Sequence, residues 1–252
     1  MEYVELVPGV VGASGGGGAQ VLFVHGVMDR GAAFLRTTRR LADVAWTIYD
    51  RRGYGRSAGG DPVEFSAHVD DLVAIVDSMA GDLTLVGHSL GGLLALHAAA
   101  ARPERVTAVV AYEAPLSFLH WWPVADAEGR RLEDDLPEVG LDRFMRRVIG
   151  DAAWEALPES TRQQRIGEWP AVLAELVTVR DQGAFDPASV RAPCVVSRAH
   201  PSGDHRVRSG EWLVSNLPDV ELVLLDDSVH NAHMADPDRF AALVRRALQL
   251  SA

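Results

Sequence analysis

The chain contains no lysine. All 24 of its basic residues are arginine, spread along 252 residues rather than clustered, and 35 acidic residues leave a formal charge of −11. A chain of that sign repels phosphate backbones and anionic lipid heads, so neither nucleic acid nor a membrane surface is an expected partner. Long apolar runs are missing too: nowhere do about 18 apolar residues follow one another without a charge. The start, MEYVELVPG, has no basic segment leading into an apolar one. Membrane spanning and secretion are therefore both unexpected. Cysteine is reduced to Cys194, which excludes an internal disulfide and a cysteine-rich metal site and suits a reducing cytoplasm. Its setting, PCVVS, is that of a buried structural thiol. Also absent are an HExxH helix and a dinucleotide-binding glycine fingerprint, and the tract GASGGGG at 12–18 lacks the spacing of a phosphate-cradling loop. No cofactor and no metal are expected.

What is present is the composition of an ordinary globular protein, 48% hydrophobic and 23% charged, with the length of one domain carrying an insertion. Short apolar runs at YVELV, VLFVHG, VAWTIYD, LTLVGHS, RVTAVVAYE, PCVVSR and VELVLLD read as strands. Helical spacing falls between most of them, over residues 32–41, 65–80, 90–102, 207–216 and 238–250. That alternation predicts an α/β fold with a mostly parallel sheet covered by helices on both faces. The glycine tract reads as a hairpin loop between two early strands. From 115 to about 190 the rhythm breaks, and the segment reads as short helices separated by Pro123, Pro137, Pro158, Pro170 and Pro187. It carries Trp121, Trp122, Trp154, Trp169, Phe118 and Phe144. Most of these rings are expected to pack the insertion onto the sheet, with one or two facing a ligand.

Gly87-His88-Ser89-Leu90-Gly91 lies between the strand LTLV and the helix LLALHAAAA. A chain that turns this sharply crowds the backbone two residues to either side, so those positions must lack a Cβ, while the hydroxyl is lifted clear of the sheet. The following helix brings its positive end, and the Leu90 amide, toward an oxyanion developing beside Ser89. A serine hydroxyl needs a base, and the order serine, acid, histidine places that base after the last strand. There, in DSVHNAHMADPDRF, stands His230. His233 is the competitor, expected instead to begin the next helix or pack behind the site; His88 and His97 default to structural roles.

These motifs resemble those of the α/β-hydrolase superfamily, in its lid-bearing bacterial serine hydrolase and esterase branch. Besides the elbow, VLFVHGVMDRGAAF resembles the family's His-Gly segment after the third strand. YDRRGYGRS resembles its Asp-x-Arg-Gly-x-Gly-x-Ser turn, and HNAHMADPDRF its terminal histidine motif. The resemblance covers the chain apart from the insertion. It implies a core of residues 1–114 and 191–252 and a helical lid over 115–190. It also makes the Val27 amide the second oxyanion donor, His25 the holder of that loop, and Asp50, Arg52, Gly53 and Gly55 turn-stabilising.

The acid departs from the family's commonest pattern. Most members carry an aspartate a few residues after the strand that follows the lid, where VVSRAHPSGDHRV offers His200 near the expected spot and Asp204 rather late. Other members use a carboxylate after the strand that follows the elbow helix, and VVAYEAPLSF puts Glu113 there. Inside an apolar run a glutamate is costly unless paired with an imidazole or hydrogen bonds. Glu113 and Asp204 both stand as candidates. The expected activity is hydrolysis of a small, apolar carboxylic ester by Ser89, His230 and the acid through an acyl-enzyme. Carbon–carbon bond hydrolysis, lactone opening, thioester cleavage and perhydrolysis remain alternatives on the same scaffold, as does a non-catalytic small-molecule binder. A serine at the elbow argues against the dehalogenase and epoxide hydrolase branches, which use a carboxylate.

Overall fold

Strands rich in valine and leucine on both faces persist only when helices cover both faces. The computed structural model, which describes residues 1–125 and 129–251, places every such run in one sheet. Its strands are β1 Val4–Val7, β2 Val10–Gly15, β3 Ala19–Val24, β4 Val44–Asp50, β5 Leu83–His88, β6 Val106–Tyr112, β7 Cys194–His200 and β8 Val220–Asp226. They lie in the order β1-β2-β4-β3-β5-β6-β7-β8. The β1–β2 and β2–β4 pairs are antiparallel and the remaining pairs parallel.

β2 was not legible as a strand, because it runs into the glycine tract expected as a loop. The glycines are there for contact rather than for flexibility. A Cβ on Gly12 would lie 2.5 Å from Leu6 Cδ1 and 2.6 Å from the Ile48 carbonyl oxygen, and one on Gly15 would lie 2.5 Å from the Trp46 ring. The connection itself is confined to 16–18, where Gly16 and Gly18 have φ of +74° and +102°.

The helices are α1 Leu35–Thr38, α2 Phe65–Ser78, α3 Leu90–Ala101, α4 Pro137–Ile149, α5 Asp151–Glu155, α6 Glu159–Gln182, α7 Asp204–Asn216, α8 Ala232–Ala235 and α9 Pro237–Leu250. None is long and apolar enough to cross a membrane. The helix expected over 32–41 is instead a 3₁₀ turn, Gly31–Phe34, followed by the single turn of α1. Thr37 there turns its hydroxyl to the His233 carbonyl, 3.1 Å away, fixing α1 to the segment after β8. Leu72 of α2, Leu93 of α3 and Leu213 of α7 share the core on one face of the sheet, whereas Phe240 and Val244 of α9 pack against Val21, Phe23 and Val110 on the other. Cys194 is buried, and burial pushes its thiol up to about 12, which leaves it inert.

Between β6 and β7 the described residues form no strand, only α4, α5, α6 and short turns; residues 126–128 of this span lie outside the described residues. Pro170 does not separate two helices as expected. It lies inside the 24-residue α6, whose buried residues Trp169, Val172 and Val179 flank it. Packing of that face outweighs the lost backbone hydrogen bond. Trp154, Trp169, Phe144 and Leu141 form the inserted segment's own core with Met28 and Tyr54 of the sheet portion.

Charge fastens the same junction. The guanidinium of Arg51 makes a two-pronged ion pair with Glu175 of α6, with both side chains essentially inaccessible, and the Tyr54 hydroxyl donates to the same carboxylate. Arg51 also donates to the carbonyls of His25 at 3.1 Å and Gly26 at 3.0 Å. Glu175→Gln keeps the shape but strands a buried cation. We expect it to lower stability by about 3–5 kcal/mol, seen as an earlier denaturant midpoint; an unchanged midpoint contradicts that role for the pair.

Candidate active site

Ser89 stands where β5 turns into α3, at φ 53° and ψ −126°, a conformation that costs an L-residue about 1–3 kcal/mol and persists only where neighbours enforce it. The enforcement is visible. A Cβ on Gly87 would lie 2.2 Å from the Gly91 carbonyl oxygen, and one on Gly91 would lie 2.1 Å from that of Val24. Both flanking positions of the elbow therefore admit glycine alone, as the spacing implied. The Ser89 N–H is held by the Tyr112 carbonyl at 2.8 Å. Its hydroxyl makes no hydrogen bond to a protein group among the described residues and faces a cavity.

The loop after β3 comes against this elbow so closely that a Cβ on Gly26 would lie 2.9 Å from the Ser89 Cβ. His25 holds that loop. Its Nε2 accepts the Arg51 N–H at 2.8 Å, so its proton sits on Nδ1, which donates to the Gly26 carbonyl at 2.7 Å. Burial, helped by the Arg51 charge, keeps the ring neutral by pushing its pKa well below the ordinary range. Among the described residues no protein acceptor takes the N–H of Val27 or of Leu90, and both residues line the cavity. Two unengaged amides beside a serine suit a developing oxyanion. The turn after β4 braces the region. Asp50 accepts the Gly31 N–H at 3.0 Å and the Arg56 N–H at 2.9 Å, Gly53 and Gly55 have positive φ, and Arg52 pairs with Asp71.

Of the two histidines after β8, His230 reaches a carboxylate in the cavity. Its Nδ1 donates to Oε2 of Glu113 at 2.5 Å, which leaves Nε2 for the cavity that Ser89 also faces. Glu113 follows β6 at φ 48° and is fully satisfied: Oε1 accepts from the Ala199 N–H at 3.1 Å and the Ser202 hydroxyl at 2.7 Å, and Arg206 Nε lies 3.3 Å from Oε2. Burial alone would raise its pKa, but the His230 hydrogen bond and charge, Arg206 and Ser202 outweigh it and hold the carboxyl below its usual value. Burial likewise lowers the His230 pKa, against the pull of Glu113 and with the repulsion of Arg206.

Asp204, the other candidate acid, is exposed at the first position of α7 and makes no hydrogen bond or ion pair with His230. His200 is also exposed, 3.0 Å from Asp226. His233 is fully buried behind the site, its Nε2 2.9 Å from Asp29 Oδ2, while His88 Nε2 donates to the His230 carbonyl at 2.9 Å. His97 bonds the Gly183 carbonyl at 2.9 Å. The ligand atoms of Asp29, His88 and His233 all lie within 4.8 Å of one another. An ion with bonds of about 2.0–2.1 Å spreads tetrahedral ligands about 3.3 Å apart. The 2.9 Å Asp29–His233 contact is shorter than that, so this is a hydrogen-bonded pair rather than an ion cradle.

Sequence reasoning missed Asp29, Ser202 and Arg206. Asp29 follows the His-Gly segment by three positions, and His233 follows His230 by three, but nothing local links those two spacings. Ser202 and Arg206 reach Glu113 only because β6 and β7 are neighbours. The cavity that Ser89 and His230 share has a volume of about 590 Å³, and Trp122, Phe144, Leu132 and Val179 from the inserted segment line it. Of the six singled-out rings, Trp122 and Phe144 are thus the ones at the cavity wall.

Known proteins resemble this chain in sequence and in fold. Lipase LipV of Mycobacterium tuberculosis is 40% identical over 95 residues, 37% of this chain and 36% of the lipase. A putative carbamate hydrolase, RutD, of Agrobacterium fabrum is 27% identical over 246 residues, 87% of this chain and 89% of that protein. The chain thus spans about a third of the lipase and most of the carbamate hydrolase. A malate-bound thermophilic esterase from Thermogutta terrifontis superposes with a TM-score of 0.77 at 20% identity, covering 96% of this chain and 93% of that one, a likeness of fold. The profile of the Alpha/beta hydrolase family matches residues 21–243, from within β3 to the middle of α9. On that match and the sheet order around the elbow, the chain belongs to the alpha/beta hydrolase family.

Proposed function

We propose that this chain is a serine hydrolase that cleaves a small carboxylic ester with an apolar acyl or alcohol group. Ser89 is the nucleophile, His230 the general base, Glu113 the orienting acid, and the Val27 and Leu90 amides form the oxyanion hole. The observation that carries the reading is the buried 2.5 Å contact of His230 Nδ1 with Glu113, which leaves Nε2 open to the cavity that the strained Ser89 faces. His230 takes the serine proton as Oγ attacks the carbonyl and returns it to the leaving alcohol; the same imidazole then activates the water that frees the acid. Ser89 and His230 share no direct hydrogen bond without substrate, and such contacts tighten when the reacting group arrives. The segment 115–190 serves as a lid, since its Trp122, Leu132 and Phe144 form cavity wall. The buried lone thiol and the acidic charge favour a cytoplasmic setting and a small-molecule partner.

The reading is tested with p-nitrophenyl acetate and butyrate and with a fluorophosphonate probe. Turnover and a single adduct on Ser89 are expected; neither turnover nor labelling ends the hydrolase reading. The pH profile gives a second check. Protonated His230 cannot accept the serine proton, and its pKa lies below the ordinary imidazole value of 6.5. The base form therefore survives to lower pH than in a free imidazole, and the acid limb of kcat/KM is expected to bend below pH 6.5. A bend above that value removes His230 from the role.

A further inference from the structure

A protein with 35 acidic residues against 24 arginines would be expected to line its cavities with acid. The cavity at Ser89 shows the reverse among the described residues: Arg147, Arg180 and Arg206 line it against one carboxylate, Glu113. These arginines are not equivalent. Arg180 is matched by a two-pronged ion pair with Glu133. Arg147 lies over the Phe144 ring, 5.8 Å from its centroid. Arg206 projects from the first turn of α7, its side chain 22% exposed, and its nearest approach to Glu113 is through Nε, 3.3 Å from Oε2. Its two terminal nitrogens make no hydrogen bond within the described residues, although the residue lines the cavity beside His230 and also a second opening that His230 lines too. His205, the next residue, is pushed down to about 4 by burial and by the charges of Arg206 and Arg147, so it adds no charge near neutral pH.

We infer that Arg206 is a specificity-determining residue and that the ester taken by this site carries a carboxylate. This rests on the hydrolase reading above. A guanidinium keeps a planar fork of donors and cannot shed its charge, so terminal nitrogens left unengaged at a partly desolvated wall match a carboxylate in both shape and sign. Glu113 approaches Arg206 nearest at Nε, and the terminal nitrogens, without a hydrogen bond within the described residues, remain for the ligand. The apolar wall of Trp122, Phe144 and Val179 receives the carbon chain between that carboxylate and the scissile ester.

The test compares each anionic ester with a neutral partner that lacks the carboxylate: mono-p-nitrophenyl glutarate against p-nitrophenyl pentanoate for a carboxylate on the acyl side, and 3-carboxyphenyl butyrate against phenyl butyrate for one on the alcohol side. The ratio of kcat/KM within a pair cancels whatever Arg206 does to Glu113 and His230, because both esters use the same triad. The parent protein is expected to prefer the anionic member of one pair by at least about tenfold, the scale of one charge-assisted hydrogen bond. Arg206→Gln should erase that preference and Arg206→Lys keep part of it. A parent ratio of one or less in both pairs overturns the inference, as does a ratio that Arg206→Gln leaves intact. If the parent cleaves no ester at all, the hydrolase reading fails separately. Arg206 is then judged by calorimetric binding of glutarate, which Arg206→Gln should weaken at least about tenfold; no binding to the parent, or equal binding to both, overturns the inference.

Discussion

Ser89→Ala should reduce kcat for p-nitrophenyl butyrate by about 10⁵–10⁶-fold, the scale seen when the nucleophile of such a unit is removed. The residue that remains at the elbow keeps its backbone, so the strained turn, the Leu90 amide and the cavity wall survive; only the oxygen that forms the acyl bond is gone. Residual turnover of about 10³–10⁴-fold over water should persist from the oxyanion amides and binding alone. The distinguishing feature is non-additivity. In the proposed mechanism Ser89 and His230 act on one proton, so once the hydroxyl is absent the imidazole has nothing to accept, and Ser89→Ala combined with His230→Ala should be no slower than Ser89→Ala within about threefold. Fully multiplicative losses would mean that the two side chains serve different steps. Intact-mass analysis after a substrate pulse gives the complementary result: an acyl adduct on the parent and none on Ser89→Ala.

The limits of reading this molecule from its sequence follow from how far each interaction reaches. Strands such as VAWTIYD and VELVLLD announce themselves because their apolar side chains are neighbours along the chain, and the elbow does so because its steric demand falls within five residues. β2 was hidden because glycine usually marks freedom, whereas Gly12 and Gly15 are there to let Leu6 and Trp46 approach, a fact set by strands that pair from elsewhere in the chain. Pro170 misled for the converse reason: a strong local breaker yielded to the packing of Trp169 and Val172 on the inserted segment's core. The site divides along the same line. Ser89 and His230 sit in local motifs, but the donors that make Glu113 tolerable in the interior, Ser202, the Ala199 amide and Arg206, gather only once β7 lies beside β6.

That last contrast favours Glu113 over Asp204 as the acid of the proposed triad. Glu113→Gln should cut kcat by about 10⁴-fold, and Asp204→Asn should change it by less than about threefold. Glu113 is placed to set where the imidazole proton sits. Its carboxylate accepts the Nδ1 proton of His230, which obliges Nε2 to present a lone pair to the cavity, and in the proposed mechanism it balances the imidazolium formed when Ser89 attacks. A glutamine of the same shape offers an N–H₂ where Arg206, Ser202 and the Ala199 N–H already point donors. If its NH₂ faces His230 the imidazole flips to the wrong tautomer, and if its carbonyl faces His230 the imidazolium loses its counter-charge; either way the base is weakened. Folding should tolerate the change less well than at the surface, so circular dichroism and fluorophosphonate labelling rates are compared at matched folded concentration. Asp204, exposed at the start of α7, touches none of these groups. Should Asp204→Asn prove the costly change and Glu113→Gln the mild one, the triad drawn through Glu113 is wrong, and its carboxylate is instead an anchor for Ser202 and Arg206.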